Sequence, residues 1–252
     1  DRSTRDWEDY YPKGYLTTNP SIALNEGNIT KSNTAEQSLN GSIGVTYATQ
    51  LGDMDLITKG TYTYESYEYD YETGNAYQLA VGDVPQLGTG SEKSVGSFSV
   101  QAQVDYLDRY IFDVTARQDR SSLFGPDNRI NNYGRVSGAI RLSEHGFWDP
   151  LRGIFNEFKI RFSSGTSGNR PAFNQQYETW SVAGGNISKS VLGNKELKPE
   201  TVTETEMGID FSIMDRVLVE LTTVETVAKD QLLEVPLPGY AGYGAQWRNA
   251  GT

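Results

Sequence analysis

Eight segments of the chain alternate apolar and polar residues with a period of two, and each has one side free of charge. The first, Leu39 to Leu51, sets Leu39, Gly41, Ile43, Val45, Tyr47 and Thr49 against Asn40, Ser42, Gly44, Thr46 and Gln50. The second sets Leu56, Thr58, Gly60, Tyr62 and Tyr64 against Lys59, Thr61, Thr63 and Glu65. The third presents Gly96, Phe98, Val100, Ala102, Val104 and Tyr106, backed by Ser97, Ser99, Gln101, Gln103 and Asp105. The fourth gives Tyr110, Phe112, Val114 and Ala116 against Asp113, Thr115, Arg117 and Asp119, and the fifth Val136, Gly138, Ile140 and Leu142 against Arg135, Ser137, Ala139 and Arg141. In the sixth, Phe158, Ile160 and Phe162 oppose Lys159, Arg161 and Ser163. The seventh sets Thr203, Thr205, Met207, Ile209 and Phe211 against Glu204, Glu206 and Asp210, and the eighth Val217, Val219, Leu221 and Thr223 against Glu220 and Thr222. A charge-free flank on every segment is a strong pattern in a chain that is 22% charged.

The connections carry a second pattern. Gly52-Asp53-Met54-Asp55, Leu107-Asp108-Arg109 and Ser212 to Arg216 are tight hairpin links, whereas Tyr71 to Ser94, Arg120 to Asn132 and Thr166 to Glu200 are long ones. Short and long links alternate, with one of middling length at Ser143 to Asn156. Tyrosines gather at strand ends: Tyr106 and Tyr110 flank a short turn, and Tyr62, Tyr64, Tyr67, Tyr69 and Tyr71 lead into a long link. A soluble antiparallel β-sandwich also alternates, and would place Phe98, Phe112, Ile160 and Ile209 in a dry core. Strand length, loop asymmetry and edge aromatics favour the other reading, an all-β antiparallel transmembrane β-barrel segment of about eight strands with long extracellular loops.

Composition narrows the function classes. Mean hydropathy is -0.55, which a barrel allows because only every second strand residue faces lipid. No apolar run approaches the roughly 18–20 residues of a spanning helix. Tyrosine and glycine are abundant, at 16 and 26 residues, and there is no cysteine, so disulfides and thiolate metal sites are excluded. A net charge of -11 argues against a nucleic-acid partner. The first residues, Asp1 to Asp6, are polar and not a signal peptide, and the chain reads as a piece of something longer, all of it (1–252) part of one β-barrel domain.

The stretch DYLDRYIFDVTARQDRSSLFGPDNRINNYGRVSGAIRLSE, Asp105 to Glu144, resembles the strand, short turn, strand and "D-x-S-S-x-F-G-x-x-N-R" loop of the SusC/RagA family of TonB-dependent outer-membrane transporters. FKIRFSSGTSGNR (Phe158 to Arg170) and LGNKELKPETVTETEMGIDF (Leu192 to Phe211) resemble two later motifs in the same order. Lys229 to Leu233 followed by Val235-Pro236-Leu237-Pro238 also matches, and Tyr11-Pro12-Lys13-Gly14-Tyr15 is a weaker match. The resemblance implies residence in the bacterial outer membrane in contact with its lipid. It further implies import of nutrients such as glycans or peptides, a SusD-like surface lipoprotein as lid, and drive from the TonB complex. Family members are far longer, with a plug domain, a TonB box and a barrel of about 22 strands, and eight strands of so wide a barrel do not close on themselves. A passive outer-membrane channel and a soluble binding module are the alternatives.

The residues themselves suggest no catalysis, no cofactor and no metal site. His145 is the only histidine and sits in a turn beside Trp148, so neither a His-based triad nor a metal site can be assembled. Asp53/Asp55 and Glu68/Asp70 read as solvated carboxylates at turns and loop edges, and the run Gly239 to Gly244 lacks the Lys-Ser/Thr of a phosphate loop. Loop aromatics Tyr177, Trp180, Tyr240, Tyr243 and Trp247 are the candidates for substrate contact, since rings can stack on sugars or grip peptides. The polar flanks hold complementary charges, Arg135, Arg141, Lys159 and Arg161 on two segments and Glu204, Glu206 and Asp210 on the next. Antiparallel pairing of the sixth and seventh segments should put Lys159 and Arg161 across from the acids in a mutually neutralised wall.

Overall fold

A computed structural model describes residues 1–12, 27–77, 81–82, 86–183 and 186–251. The strands are β1 (Arg2–Tyr11), β2 (Asn28–Leu51), β3 (Met54–Tyr77), β4 (Val81–Gly82), β5 (Gln86–Tyr106), β6 (Tyr110–Arg120), β7 (Ile130–Arg141) and β8 (Phe155–Asn169). They continue as β9 (Trp180–Ala183), β10 (Asn186–Lys189), β11 (Val191–Leu192), β12 (Glu200–Ile213), β13 (Val217–Lys229), β14 (Gln231–Pro236) and β15 (Ala245–Ala250). One antiparallel sheet runs β1-β2-β3-β5-β6-β7-β8-β12-β13, with β4 beside β3, and it is open, with β1 and β13 at its edges. A β9–β10 hairpin forms in the long β8–β12 connection, and a three-stranded sheet, β11-β15-β14, ties that connection to the segment after β13.

All eight expected strands are present, as β2, β3, β5, β6, β7, β8, β12 and β13, each beside its neighbour in the chain. Three are far longer than the alternation indicates: β2 and β3 have 24 residues each and β5 has 21. Much of the link expected between Tyr71 and Ser94 is therefore paired strand, with Tyr71 opposite Gly88 and Thr73 opposite Gln86. Glu68 and Asp70, expected at a loop edge, lie inside β3. β1 was not foreseen; it pairs with the outer half of β2, from Arg2 opposite Gln37 to Tyr11 opposite Asn28. The reason is common to these misses. Beyond the lipid layer both faces of a strand meet water, so backbone pairing persists without a charge-free side to mark it. Of the weak Tyr11-to-Tyr15 match, residues 13–15 lie outside the described part.

The turns explain how the short end closes. At Leu107-Asp108 and Met214-Asp215 both central residues have positive φ, the type I′ pattern, and the bonds Arg109 N–H to Tyr106 O (3.1 Å) and Arg216 N–H to Ile213 O (3.0 Å) close them. Between β2 and β3 only the first central residue, Gly52 (φ 65°), is left-handed, as in a type II′ turn.

Register carries the charge-free flanks into one continuous face. Leu51, Met54, Tyr106, Tyr110, Ile140, Ile160, Ile209 and Leu221 are successive cross-strand partners across eight strands. Side chains on this face are exposed: Val114 keeps 41% and Met207 60% of its surface open. On the opposite face two carboxylates are buried, Asp113 at 6% and Asp210 at 9%. That inversion is the reverse of a soluble protein. Phe98, Phe112, Ile160 and Ile209 are exposed as well, which overturns the sandwich alternative. Among the described residues, the buried large hydrophobics are Leu123, Phe124 and Leu197, all in the long connections and none in the sheet.

Candidate functional site: a charged wall under a loop cap

The polar face is built by the strand residues that the pleat turns away from lipid. Asp113 on β6 accepts hydrogen bonds from Arg135 of β7 at 2.6 Å and from Gln101 of β5 at 2.8 Å. Asp210 on β12 meets Lys159 Nζ at 2.9 Å and Arg161 Nε at 3.2 Å, both from β8. Arg161 also lies 3.9 Å from Glu206, and Arg141 reaches Glu144 at 3.5 Å and Glu157 at 3.9 Å. Lys159 and Arg161 thus face the acids of β12 as the sequence suggests, and buried carboxylates held by several donors make a rigid wall. Asp113 as the counter-ion of Arg135 was not foreseen. The sequence carries only the ingredients, an acid on the polar flank of β6 and an Arg on that of β7; the register makes them diagonal neighbours, with Asp113 opposite Ser137 and Arg135 opposite Thr115.

Above the wall, the long connections pack into a cap, and the motif residues hold it. Phe124, Leu123 and Leu197 fill its interior. The backbone at Gly125 approaches that of Lys195 so closely that a Cβ would sit 1.5 Å from the Lys195 carbonyl oxygen. Asn128 donates to the Glu196 carbonyl at 3.1 Å, and Gln176 donates to that of Ser122 at 2.9 Å. Glu200 accepts from Asn169 (2.9 Å) and from the Leu232 N–H (2.8 Å), joining three segments. Asn249 accepts from the Lys198 N–H and donates to the carbonyls of Lys198 and Asp230, at 2.8–2.9 Å. The Leu197-Lys198-Pro199-Glu200 stretch is therefore a staple for the cap, satisfying backbone groups that strands would otherwise pair. An open polar basin of about 690 Å³ lies between these loops, with Lys195, Lys198, Asp230 and Arg248 among its lining residues.

The five candidate aromatics all lie in the cap region, and two of them share one cation. Trp180 is cross-strand to Lys189 in the β9–β10 hairpin. The Lys189 ammonium lies 5.7 Å from the Trp180 ring centre and 4.7 Å from that of Tyr243, within cation–π range of both. Tyr177 ends a 3-10 turn, Phe173–Gln176, and its backbone runs hard against Gly193. Trp247 lies half-buried in β15 opposite Glu234, and Tyr240 projects from a turn with 92% of its surface open. Lys189 had no sequence signal, because only the fold brings residues 189 and 243 together.

The chain matches the TonB dependent receptor-like, beta-barrel family over residues 2–252. TonB-dependent receptor P26 of Formosa agariphila is 29% identical over 168 residues, 63% of this chain and 17% of that protein. TonB-dependent receptor SusC of Bacteroides thetaiotaomicron is 23% identical over 175 residues, 64% of this chain and 17% of SusC. The fold matches that in a structure of the RagAB peptide transporter with a TM-score of 0.82 at 18% identity, over 98% of this chain and 29% of that one. The chain thus spans about a fifth of the curated relatives' length, 17–23%. An exposed apolar face, a charged wall behind it and a family match over nearly every residue agree: this chain belongs to the β-barrel family of TonB-dependent receptors of the Gram-negative outer membrane.

Proposed function

We propose that the chain is a barrel portion of a TonB-dependent importer that carries nutrients, glycan fragments or peptides, across the outer membrane. In this reading residues 1–252 are part of one barrel domain, a SusD-like lipoprotein covers the long-connection end, and TonB drives a plug held elsewhere in the whole protein. The protein moves its solute and does no covalent chemistry on it. The observation that carries the proposal is the inverted burial of the sheet, with Met207 open on one face and Asp210 enclosed on the other. A wall whose central charges are paired suits a water-filled path, since Asp113 with Arg135 and Asp210 with Lys159 and Arg161 already offset one another.

Trp180 and Tyr243, bridged by Lys189, are the proposed substrate contacts, and Tyr177, Tyr240 and Trp247 are further ones. Flat rings can cover the C–H face of a sugar or a peptide side chain, while an ammonium donates to hydroxyls, carbonyls or carboxylates. The polar basin near the cap staples gives room for such a solute. The test uses the full-length gene, deleted from its host and restored as the parent or as Trp180→Ala/Tyr243→Ala. Uptake of one class, defined oligosaccharides or defined peptides, should vanish on deletion and fall severalfold in the double variant at equal barrel abundance. Unchanged uptake in the double variant removes the aromatic pair from substrate contact. Growth of the deletion strain equal to the parent on all such substrates removes import itself.

A further inference from the structure

At the short-turn end, the link between β7 and β8, residues 142–154, is longer than a turn and holds two 3-10 turns, Leu142–Glu144 and Gly146–Trp148. Where it folds is informative. Phe147 stacks on His145 at 5.3 Å between ring centres, and His145 meets Tyr110 edge-on at 5.5 Å. Trp148 packs on Phe158 at 4.9 Å, and Phe158 stacks on Phe211 at 6.0 Å. Tyr110, Phe158 and Phe211 all belong to the apolar face, so the link from His145 to Trp148 is folded up against the lipid-facing rim, while Glu144 at its start pairs with Arg141 of the polar wall. It is held there firmly. Trp148 Nε1 donates to the Phe155 carbonyl at 3.1 Å, Arg152 donates to that of Ser143 at 2.7 Å, and the Met214 N–H donates to that of Ile154 at 2.8 Å.

Despite this docking, the link turns apolar side chains outward: Phe147 is 65% exposed, and Leu151 and Ile154 are exposed too. The neighbouring turn tips repeat the pattern. Leu107 and Met214 occupy left-handed positions (φ 60° and 49°), where Asn or Gly would be easier, and both are exposed. Each is followed by Asp-Arg, as Leu107-Asp108-Arg109 and Met214-Asp215-Arg216. Backbone strain borne by a bulky apolar residue at a turn tip makes sense where the tip meets an apolar medium. A fringe of apolar side chains next to aromatic rings at the edge of a lipid-facing sheet is the pattern of an interfacial anchor.

The geometry points to such an anchor: we infer that Phe147, Leu151 and Ile154, with Leu107 and Met214 beside them, sink into the headgroup–acyl boundary of the phospholipid leaflet that borders the short-turn end. The occupant is a phospholipid surface because the fringe is continuous, ring by ring, with the face that already meets lipid. The inference rests on that membrane reading, and the experiment separates the two.

Single cysteines replace Phe147, Leu151, Asp53 or Val114 in the full-length transporter, residues 1–252 of which hold no cysteine of their own, after any cysteine elsewhere in the protein has been changed to serine. Each is tagged with a nitroxide, checked for parental β-sheet circular dichroism, and reconstituted in phosphatidylethanolamine–phosphatidylglycerol vesicles. Power-saturation spectroscopy then compares access of oxygen, which partitions into lipid, with that of a water-soluble nickel chelate. Labels at 147 and 151 should favour oxygen and be severalfold less open to nickel than the label at the β2–β3 turn residue 53. Nickel access at 147 and 151 equal to that at 53 overturns the anchor, as does protection from both reagents, which would mean a protein cover. An oxygen-rich label at 114 beside an aqueous one at 147 defeats the anchor alone, whereas an aqueous label at 114 defeats the membrane reading itself.

Discussion

Asp210 accepts from two cations of the adjacent strand, Lys159 and Arg161, while its other cross-strand neighbour, Glu220, lies on the exposed edge strand. Replacing Asp210 with alanine leaves two like charges side by side on β8, with the hydrogen bonds of a part-buried ionic group unmade. Asp210→Ala should therefore cost about 1–3 kcal/mol. Asp53→Ala, at the open tip of the β2–β3 turn, should stay within about 0.5 kcal/mol, as an exposed site does. Urea unfolding of the full-length protein in lipid checks both; equal midpoints for the two variants would show that the wall is held by something other than these pairs. Single residues also account for the motifs by which the family is recognised. The backbone contact at Gly125, the buried Leu197 and the clamps of Glu200 and Asn249 all serve the cap, so these recurrent letters report loop packing.

At the scale of the element, a strand here must satisfy two solvents at once. β6 shows the division most clearly: Tyr110, Phe112 and Val114 face out, and Asp113 with its partners faces in. Val114 lies in the third row above the short-turn rim, cross-strand to Ala102 and Val136, well inside the apolar band. Val114→Arg should cost about 2–4 kcal/mol, the expense of a guanidinium near the bilayer midplane. Thr115→Arg, one residue along and on the watered face, should cost much less. Folding yield into vesicles and the urea midpoint report the difference, and equal losses at the two positions would contradict the assignment of faces. The alternation revealed the eight spanning stretches because hydrocarbon forbids charge on one side. It was silent about β1 and the outer halves of β2, β3 and β5, where water lies on both sides and nothing constrains the letters.

For the whole molecule, the edges matter most. Among the described residues, β1 and β13 each have one hydrogen-bonded neighbour in the main sheet, and no second layer covers its wide apolar face. Within a bilayer, unpaired backbone on a strand edge is costly, so these edges call for further strands of the whole protein. Residues 1–252 expressed alone should accordingly form aggregates or mixed oligomers in detergent and no monomer resistant to heat in dodecyl sulfate. A discrete, heat-resistant monomer on a gel would show that the sheet can close on itself.

The sequence alone determined which residues meet lipid, because a period of two under a ban on charge leaves a mark in every strand. It also determined the alternation of short and long links, written in turn chemistry, and the facing of Lys159 and Arg161 toward the acids of β12, which follows from hairpin counting. Only the tertiary structure decided how far the strands extend into water, that Lys189 brings Trp180 and Tyr243 together, and that the β7–β8 link docks on the lipid-facing rim. Those outcomes depend on contacts between distant residues, and no local pattern of hydrophobicity encodes a contact across the sheet.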